Sequence, residues 1–328
     1  MKVEHNFPSV FPDLDIANCS HANRKWIYIE CMCVTHTHVY IAGPAPEKVR
    51  IMTAVNHSVC IMGLGAVGLP TAIHFQSLGC NVIGYDISRR AMVRARDHIP
   101  IAEINEISSD TEVFVICVST TLLDDEPDVS SVKDACTRIS QRFHPKLVSI
   151  ESTVPIGTCR KICDSIFDGK VNLVHIPHRF WPEDPVRHGV AQLRVAGAMS
   201  RESMIEARNL YSDLGIPLLE VEPIEIAEMA KIAENAYRYV QISFAEELRL
   251  ICQANNVDFN KLRIACNSKW NIEISEARSG IGGTCLPKDI RYLINAAKNR
   301  GLAPDLLLSA IRTDEKYVEG IMKPLIFA

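Results

Sequence analysis

Residues 59–68, Val-Cys-Ile-Met-Gly-Leu-Gly-Ala-Val-Gly, restrict what this chain folds into more than any other stretch. A short apolar run ends in Gly63, Gly65 and Gly68 at the spacing G-x-G-x-x-G. It continues through Ala72, Ile73, Phe75 and Leu78 with helical periodicity. Gly79 ends that helix, and Asn81-Val82-Ile83-Gly84-Tyr85-Asp86 reads as a second strand. Strand, tight turn, helix and strand predict a dinucleotide-binding unit. Gly63 permits the turn, Gly65 lets the backbone approach a pyrophosphate, and Gly68 permits close helix–strand contact. The helix N-terminus, entered through Ala66 and Val67, offers amide donors and positive potential to the phosphates. Asp86 ends the second strand, where a carboxylate binds both ribose hydroxyls and repels a 2′-phosphate. NAD is therefore the expected cofactor, in preference to NADP.

The rest of the chain is compatible with that unit. Its 328 residues are enough for two or three domains. Lysine plus arginine number 35 against 39 acids, a net charge of -4, so nothing draws the chain to nucleic acid or an anionic membrane. No apolar run is long enough to span a bilayer, and the N-terminus lacks a basic region followed by an apolar core. The 12 cysteines do not form a small secreted framework. A reducing, cytoplasmic setting is the simpler reading.

Residues 1–56 read as an N-terminal extension. Lys25 through Ile41 has strong β-propensity and predicts a strand or hairpin, ended by Gly43-Pro44-Ala45-Pro46. Cys19, His21, Cys31, Cys33, His36 and His38 raise the question of zinc. On one strand, however, Cys31 and Cys33 share a face that His36 and His38 oppose. Buried thiols and surface imidazoles are the simpler reading, and no metal is expected. Residues 57–222 read as the dinucleotide-binding domain. Ser88-Arg89-Arg90 turns into a helix, placing Arg89 or Arg90 toward the adenosine end, Arg90 being the candidate contact. Glu112 to Thr120, Leu147 to Thr153 and Val171 to Ile176 read as buried strands. Val129 to Phe143 and Cys159 to Phe167 read as helices. Val118, Ser119 and Thr120 fall where a strand's C-terminal edge meets the cofactor. Pro223 through Ile251 predicts one long helix opening a mostly helical region, 223–328. The fold class is α/β, a Rossmann-like domain followed by a helical central domain.

Four segments carry a resemblance. Gly63 to Pro70, Glu151 to Thr158 (Glu-Ser-Thr-Val-Pro-Ile-Gly-Thr), Ala230 to Arg238, and Gly282 to Asp289 (Gly-Gly-Thr-Cys-Leu-Pro-Lys-Asp) occur in that order. Together they resemble the signatures of the nucleotide-sugar 6-dehydrogenases, the UDP-glucose/GDP-mannose type. The resemblance runs from about Val59 to near Tyr317. It implies NAD-dependent oxidation of a primary alcohol to a carboxylic acid in two steps, through a cysteine thiohemiacetal and thioester. It implies Cys285 as the nucleophile. A thiolate suits attack on an aldehyde, and Lys288 stands close enough in sequence to favour that thiolate. Lys231 and Asn235, four residues apart on one helix face, are implied at the substrate oxyanion, with Asp289 orienting Lys231 or a water. Thr153 is implied at the active-site water and beside the cofactor. Glu151 either contacts the cofactor or holds the strand end. The long helix is implied to pair two copies into a homodimer around a small-molecule substrate.

The chain also departs from the pattern. His178 stands where the family carries an acid, and Glu183 is the nearby candidate base. Arg179, with Arg187 and His188, makes this loop basic enough to grip a phosphate or carboxylate, with Trp181 as an apolar wall. Gly282 permits close substrate approach. The segment between Asp86 and Val113 is short for the family. Relatives continue past the position of Ala328 into a further nucleotide-sugar-binding domain, so the chain reads as a short member or a truncated one. Two other readings stay open: a two-electron dehydrogenase of a smaller polar metabolite, and a non-enzymatic dinucleotide-binding protein.

Overall fold

Parallel strands buried on both faces need apolar side chains in both directions. In the computed structural model, which describes residues 57–322, this requirement shapes the central sheet. Strands β1 (Ser58–Met62), β3 (Val113–Ile116) and β6 (Leu147–Ile150) lie at its middle, β3 and β6 wholly buried and β1 buried beyond Ser58. Adding β2 (Asn81–Tyr85), β7 (Leu173–His175), β8 (Arg194–Ala198) and β9 (Leu218–Val221) gives seven strands in the order β2-β1-β3-β6-β7-β8-β9. All neighbours are parallel except β7 and β8, where His175 faces Gly197 and Val174 faces Ala198.

Alternation along the strands sends side chains to two cores. Val59, Ile61, Val113 and Val115 face helices α1 (Gly68–Ser77), α2 (Arg89–Ala95) and α5 (Arg201–Asp213). Cys60, Met62, Phe114 and Ile116 face α3 (Ser130–Arg142) and α4 (Thr158–Ile166). Helices on both faces leave the C-terminal strand ends as the open edge, where ligands bind in such sheets.

The chain then becomes helical. Helix α6 (Ile224–Ala254, 31 residues) is followed by α7 (Phe259–Asn267), α8 (Cys285–Lys298) and α9 (Asp305–Met322). Helices α6, α8 and α9 share a core of Ala236, Tyr239, Ile290, Ile294 and Ala310. Helix α8 also docks on a hairpin, β4 (Thr121–Leu123) and β5 (Glu126–Asp128). Tyr292 Oη donates to the Thr121 carbonyl at 2.8 Å, and Arg291 pairs with Asp125 at 3.3 Å. These contacts tie the middle of α8 to the hairpin that follows β3. No helix among the described residues is long and apolar enough to cross a membrane. The expected N-terminal strand and its cysteine–histidine group lie outside the described residues.

Candidate active site

The glycine turn follows from sterics. Gly63 has φ +97°, and a Cβ there would lie 2.7 Å from the Cys117 backbone. A Cβ on Gly68 would lie 1.8 Å from the Gly63 carbonyl oxygen, so only glycine lets α1 start this close to β1. At Gly65 the space is open, with no heavy atom within 4 Å of where a Cβ would stand, which leaves the room a pyrophosphate needs. Val67 at the start of α1 carries no side-chain cap, and Ala66 is exposed beside it, so the helix end is free to receive an anion.

A cleft of about 360 Å³ opens from this turn along the strand ends. Gly63, Gly65, Asp86, Val118 and Ser119 line it, all expected from the sequence. Asp86 Oδ2 accepts the Leu64 amide and Oδ1 the Ser88 amide, each at 2.7 Å. Each oxygen keeps a lone pair for a ribose hydroxyl. Residues that sequence reading missed form the far wall: Ser130, Ser131, Asp134 and Arg138 on α3, with Arg138 Nε paired to Asp134 at 2.7 Å. Only the i,i+4 charge pair signalled them. Arg90 is exposed on α2 and does not line the cleft. Thr120 turns away, its Oγ1 donating to the Thr153 carbonyl at 2.8 Å. The open glycine turn, the uncapped helix and the tethered carboxylate fit NAD.

Glu151 and His178 sit differently from expectation. Both are buried, in one polar cluster beneath the strand ends. Arg194 Nη1, wholly buried on β8, lies 3.0 Å from Glu151 Oε1, and Tyr211 Oη from α5 donates to the same oxygen. His178 Nε2 contacts Glu151 Oε2 and lies 3.1 Å from Thr71 Oγ1 on α1. Burial raises the Glu151 pKa, but Arg194, His178 and Tyr211 outweigh it and hold the carboxyl at about 2. Burial lowers His178, and although Glu151 opposes this, Arg194 and Lys231 reinforce it. The imidazole is therefore neutral at neutral pH, and the charge pair proper is Arg194–Glu151. Neither His178 on the substrate nor Glu151 on the cofactor matches this geometry. Glu151 holds the strand end, the second of its two expected roles. The physical reason is Arg194, whose buried charge needs a carboxylate.

Cys117 Sγ, Glu151 Oε2 and His178 Nε2 also lie within 4.8 Å of one another, the spacing a small cation would use. The Arg194 guanidinium already supplies positive charge there, 3.3 Å from His178 Nε2. Burial and Glu151 push the Cys117 thiol well up, so it stays protonated. This donor set does not fit a metal.

A second group of side chains converges where α6 meets α8. Asp289, buried in the first turn of α8, accepts from Asn235 Nδ2 and pairs with Lys288. Lys231 lies on the same face of α6 one turn earlier. Burial lowers its pKa, against the pull of the nearby Asp289, Glu234 and Cys285. Cys285 is exposed and is the first residue of α8, where the helix dipole favours negative charge. Lys288 does not serve the thiol as expected: its Nζ pairs with Asp289 and rests 4.2 Å from the Tyr292 ring centroid. Tyr292 in turn bonds Thr121, beside the Thr120–Thr153 contact. One chain of contacts thus runs from the helix of Cys285 to Thr153.

The 177–193 loop contributes less than expected. Arg179 is committed to Glu234 on α6, its Nε 3.3 Å from Glu234 Oε2, with Nη1 donating to the Leu193 carbonyl at 3.2 Å. Trp181 is half exposed and packs on His188, ring centroids 5.6 Å apart. Glu183 is exposed in the same turn. Gly282 is exposed, with open space around it, just ahead of Cys285.

A Rossmann-like sheet with a dinucleotide cleft is followed by helices that gather lysine, asparagine, aspartate and an exposed thiol. Two family profiles match it: the UDP-glucose/GDP-mannose dehydrogenase family NAD binding domain over residues 102–215, and its central domain over residues 225–316. The chain belongs to that family. A profile of the D-isomer specific 2-hydroxyacid dehydrogenase NAD binding domain also matches residues 24–124, which include the glycine turn. The chain is 30% identical over 270 residues to UDP-N-acetyl-D-mannosamine dehydrogenase of Pyrococcus horikoshii, covering 73% of this chain and 64% of that protein. It is 28% identical over 274 residues to NDP-N-acetyl-D-galactosaminuronic acid dehydrogenase of Ralstonia nicotianae, covering 73% and 65%. The structure of UDP-D-ManNAc dehydrogenase from Pyrococcus horikoshii superposes with a TM-score of 0.72 at 28% identity, over 79% of this chain and 68% of that one. The chain spans just under two thirds of the length of these two curated relatives.

Proposed function

We propose that the protein oxidises the primary alcohol of a nucleotide sugar to a carboxylic acid with NAD. The observation that carries this reading is the convergence of Lys231, Asn235, Asp289 and Cys285 at the α6–α8 contact. The dinucleotide cleft is built from the same sheet edge that Thr153 and Tyr292 tie to α8. NAD, when bound, would supply the hydride acceptor, one hydride per molecule, so two molecules would be needed to bring an alcohol to the acid level. Gly65 and the start of α1 would hold its pyrophosphate, and Asp86 its ribose.

Lys231 and Asn235 would stabilise negative charge on the substrate oxygen as the alcohol gives its proton to water and its hydride to the nicotinamide, leaving an aldehyde. Cys285 Sγ attacks the resulting aldehyde carbon, forming a C–S bond and a thiohemiacetal. Oxidation gives a thioester, and water cleaves its C–S bond, releasing acid and returning the thiol. Asp289 holds Asn235 and balances the lysines. Thr153 stands at the loop facing this chemistry. We divide the chain accordingly into a cofactor unit, 57–222, and a catalytic helical unit from 223, acting in the cytoplasm, where the Cys285 thiol stays reduced.

We further propose a homodimer through α6. Ile226, Met229, Tyr237, Phe244 and Ile251 recur at helical spacing and are about half exposed or more, an apolar stripe on α6. Turnover with UDP-N-acetylmannosamine, UDP-glucose and NAD tests the activity. Two NADH per acid supports it; one NADH with an aldehyde or ketone product favours a two-electron dehydrogenase.

A further inference from the structure

Glu228, Lys231 and Asn235 are spaced three and four residues apart on α6 and share one face. The two outer residues are each fastened to a different partner. Asn235 reaches Asp289 at the start of α8. Glu228, fully buried, spans the other way: Oε1 accepts the Cys159 amide at 2.7 Å, and Oε2 accepts the Gly157 amide. Those amides form the first turn of α4, whose own start at Gly157 carries no side-chain cap. The cap is supplied by another helix, directly after the Thr153 loop. Burial raises the Glu228 pKa, and the two amides pull it back. Lys231 itself makes no side-chain hydrogen bond or ion pair among the described residues, so its ammonium sits where its helix puts it.

We propose that Glu228 is a positioning residue: by clamping α6 to the start of α4 it fixes Lys231 relative to the Thr153 loop, as Asn235 fixes it relative to Cys285. The role of Lys231 rests on the function proposed above; its placement does not. A loosened clamp lets α6 shift against the cofactor unit and admits water to the Lys231 ammonium. The charges that ammonium senses are Asp289, Cys285 and Lys288 on α8 and Glu234 on α6, and it acts in turn on His178 beyond β7.

The test is competitive acetylation of Lys231 across pH, read by mass spectrometry on the full chain, for the wild type, Glu228→Gln, Glu228→Ala and Ser243→Ala. Ser243→Ala removes a bond from α6 to the Ala310 carbonyl, away from the clamp, and controls for general loosening. Burial holds the wild-type midpoint below that of an ordinary lysine. Both Glu228 variants are expected to raise it by about half a unit or more, while Ser243→Ala leaves it in place. With nucleotide sugar and NAD, the Glu228 variants should lose roughly tenfold to a hundredfold in hydride-transfer rate, with NAD affinity kept within about twofold. Glu228→Gln keeps the side-chain volume and one acceptor, and serves if the alanine variant does not fold. An unmoved midpoint in Glu228→Gln, with faster exchange of the Gly157 and Cys159 amides, would overturn the proposal. An equal shift in Ser243→Ala would do the same. If the wild type oxidises no nucleotide sugar, the proposed function fails and the labelling still decides the clamp.

Discussion

Single side chains set the chemistry of both sites. Asp86 is held by the Leu64 and Ser88 amides, so its charge stays fixed where a 2′-phosphate would sit. Asp86→Ala should weaken NAD binding about tenfold, the worth of one charge-assisted hydrogen bond. It should also narrow the preference over NADP, which titration calorimetry with both dinucleotides would show. Equal NADP binding by the wild type would contradict the assignment. The buried cluster makes a separate prediction. Burial pushes His175 down to about 4 and also lowers His178, both from 6.5, while Arg194 and His178 hold Glu151 at about 2 against burial, from 4.5. Below 6.5 the unfolded chain takes up protons that the folded histidines refuse, so stability falls as pH drops. The Glu151 contribution is whole above 4.5 and is lost as pH falls through about 2. Urea midpoints should therefore decline steadily from about pH 7 to about pH 4, and His178→Asn should shallow the first part of that decline. A flat profile over that range would argue against the neutral buried imidazoles.

Among the elements, the glycine turn and α6 were the most legible in the sequence. A G-x-G-x-x-G run between apolar periodicities admits few backbones, and the structure shows the close contacts that demand glycine. Gly68→Ala should cost about 1–3 kcal/mol of stability, as overpacking does, and abolish measurable NAD binding by fluorescence titration. The long helix was readable from its apolar spacing, which also marks its exposed stripe. Phe244→Asp should weaken dimerisation at least about tenfold in analytical ultracentrifugation; unchanged assembly would place the interface elsewhere. Strands β8 and β9 and helix α5 were not readable. Arg194-Val195-Ala196-Gly197-Ala198 opens with a charge and continues with small residues. Nothing local says that the arginine is buried, because its partner Glu151 is supplied from the end of β6. The place of His178 went unread for the same reason: its partners Glu151 and Thr71 are distant in sequence. Hairpin β4–β5 and the far wall of the cleft on α3 likewise acquire meaning only through contacts with α8 and the glycine turn.

At the scale of the molecule, the proposed function joins the sheet's C-terminal edge and the α6–α8 contact as the two halves of one site. Polar links between them include Glu228 and Glu225 to α4, Arg179 to Glu234, and Tyr292 and Arg291 to the β4–β5 hairpin. Each half is ordinary alone. A dinucleotide cleft serves many reactions, and an exposed cysteine at a helix start is by itself a packing accident. The four-electron oxidation proposed above requires both. The most direct test is intact-protein mass spectrometry after rapid quenching of enzyme, NAD and nucleotide sugar. The account predicts a substrate-derived acyl mass on Cys285, absent in Cys285→Ser, whose fold and NAD affinity are kept but whose acid production is lost, with Cys266→Ser behaving as wild type. Normal acid production by Cys285→Ser, with no adduct on the wild-type cysteine, would contradict it.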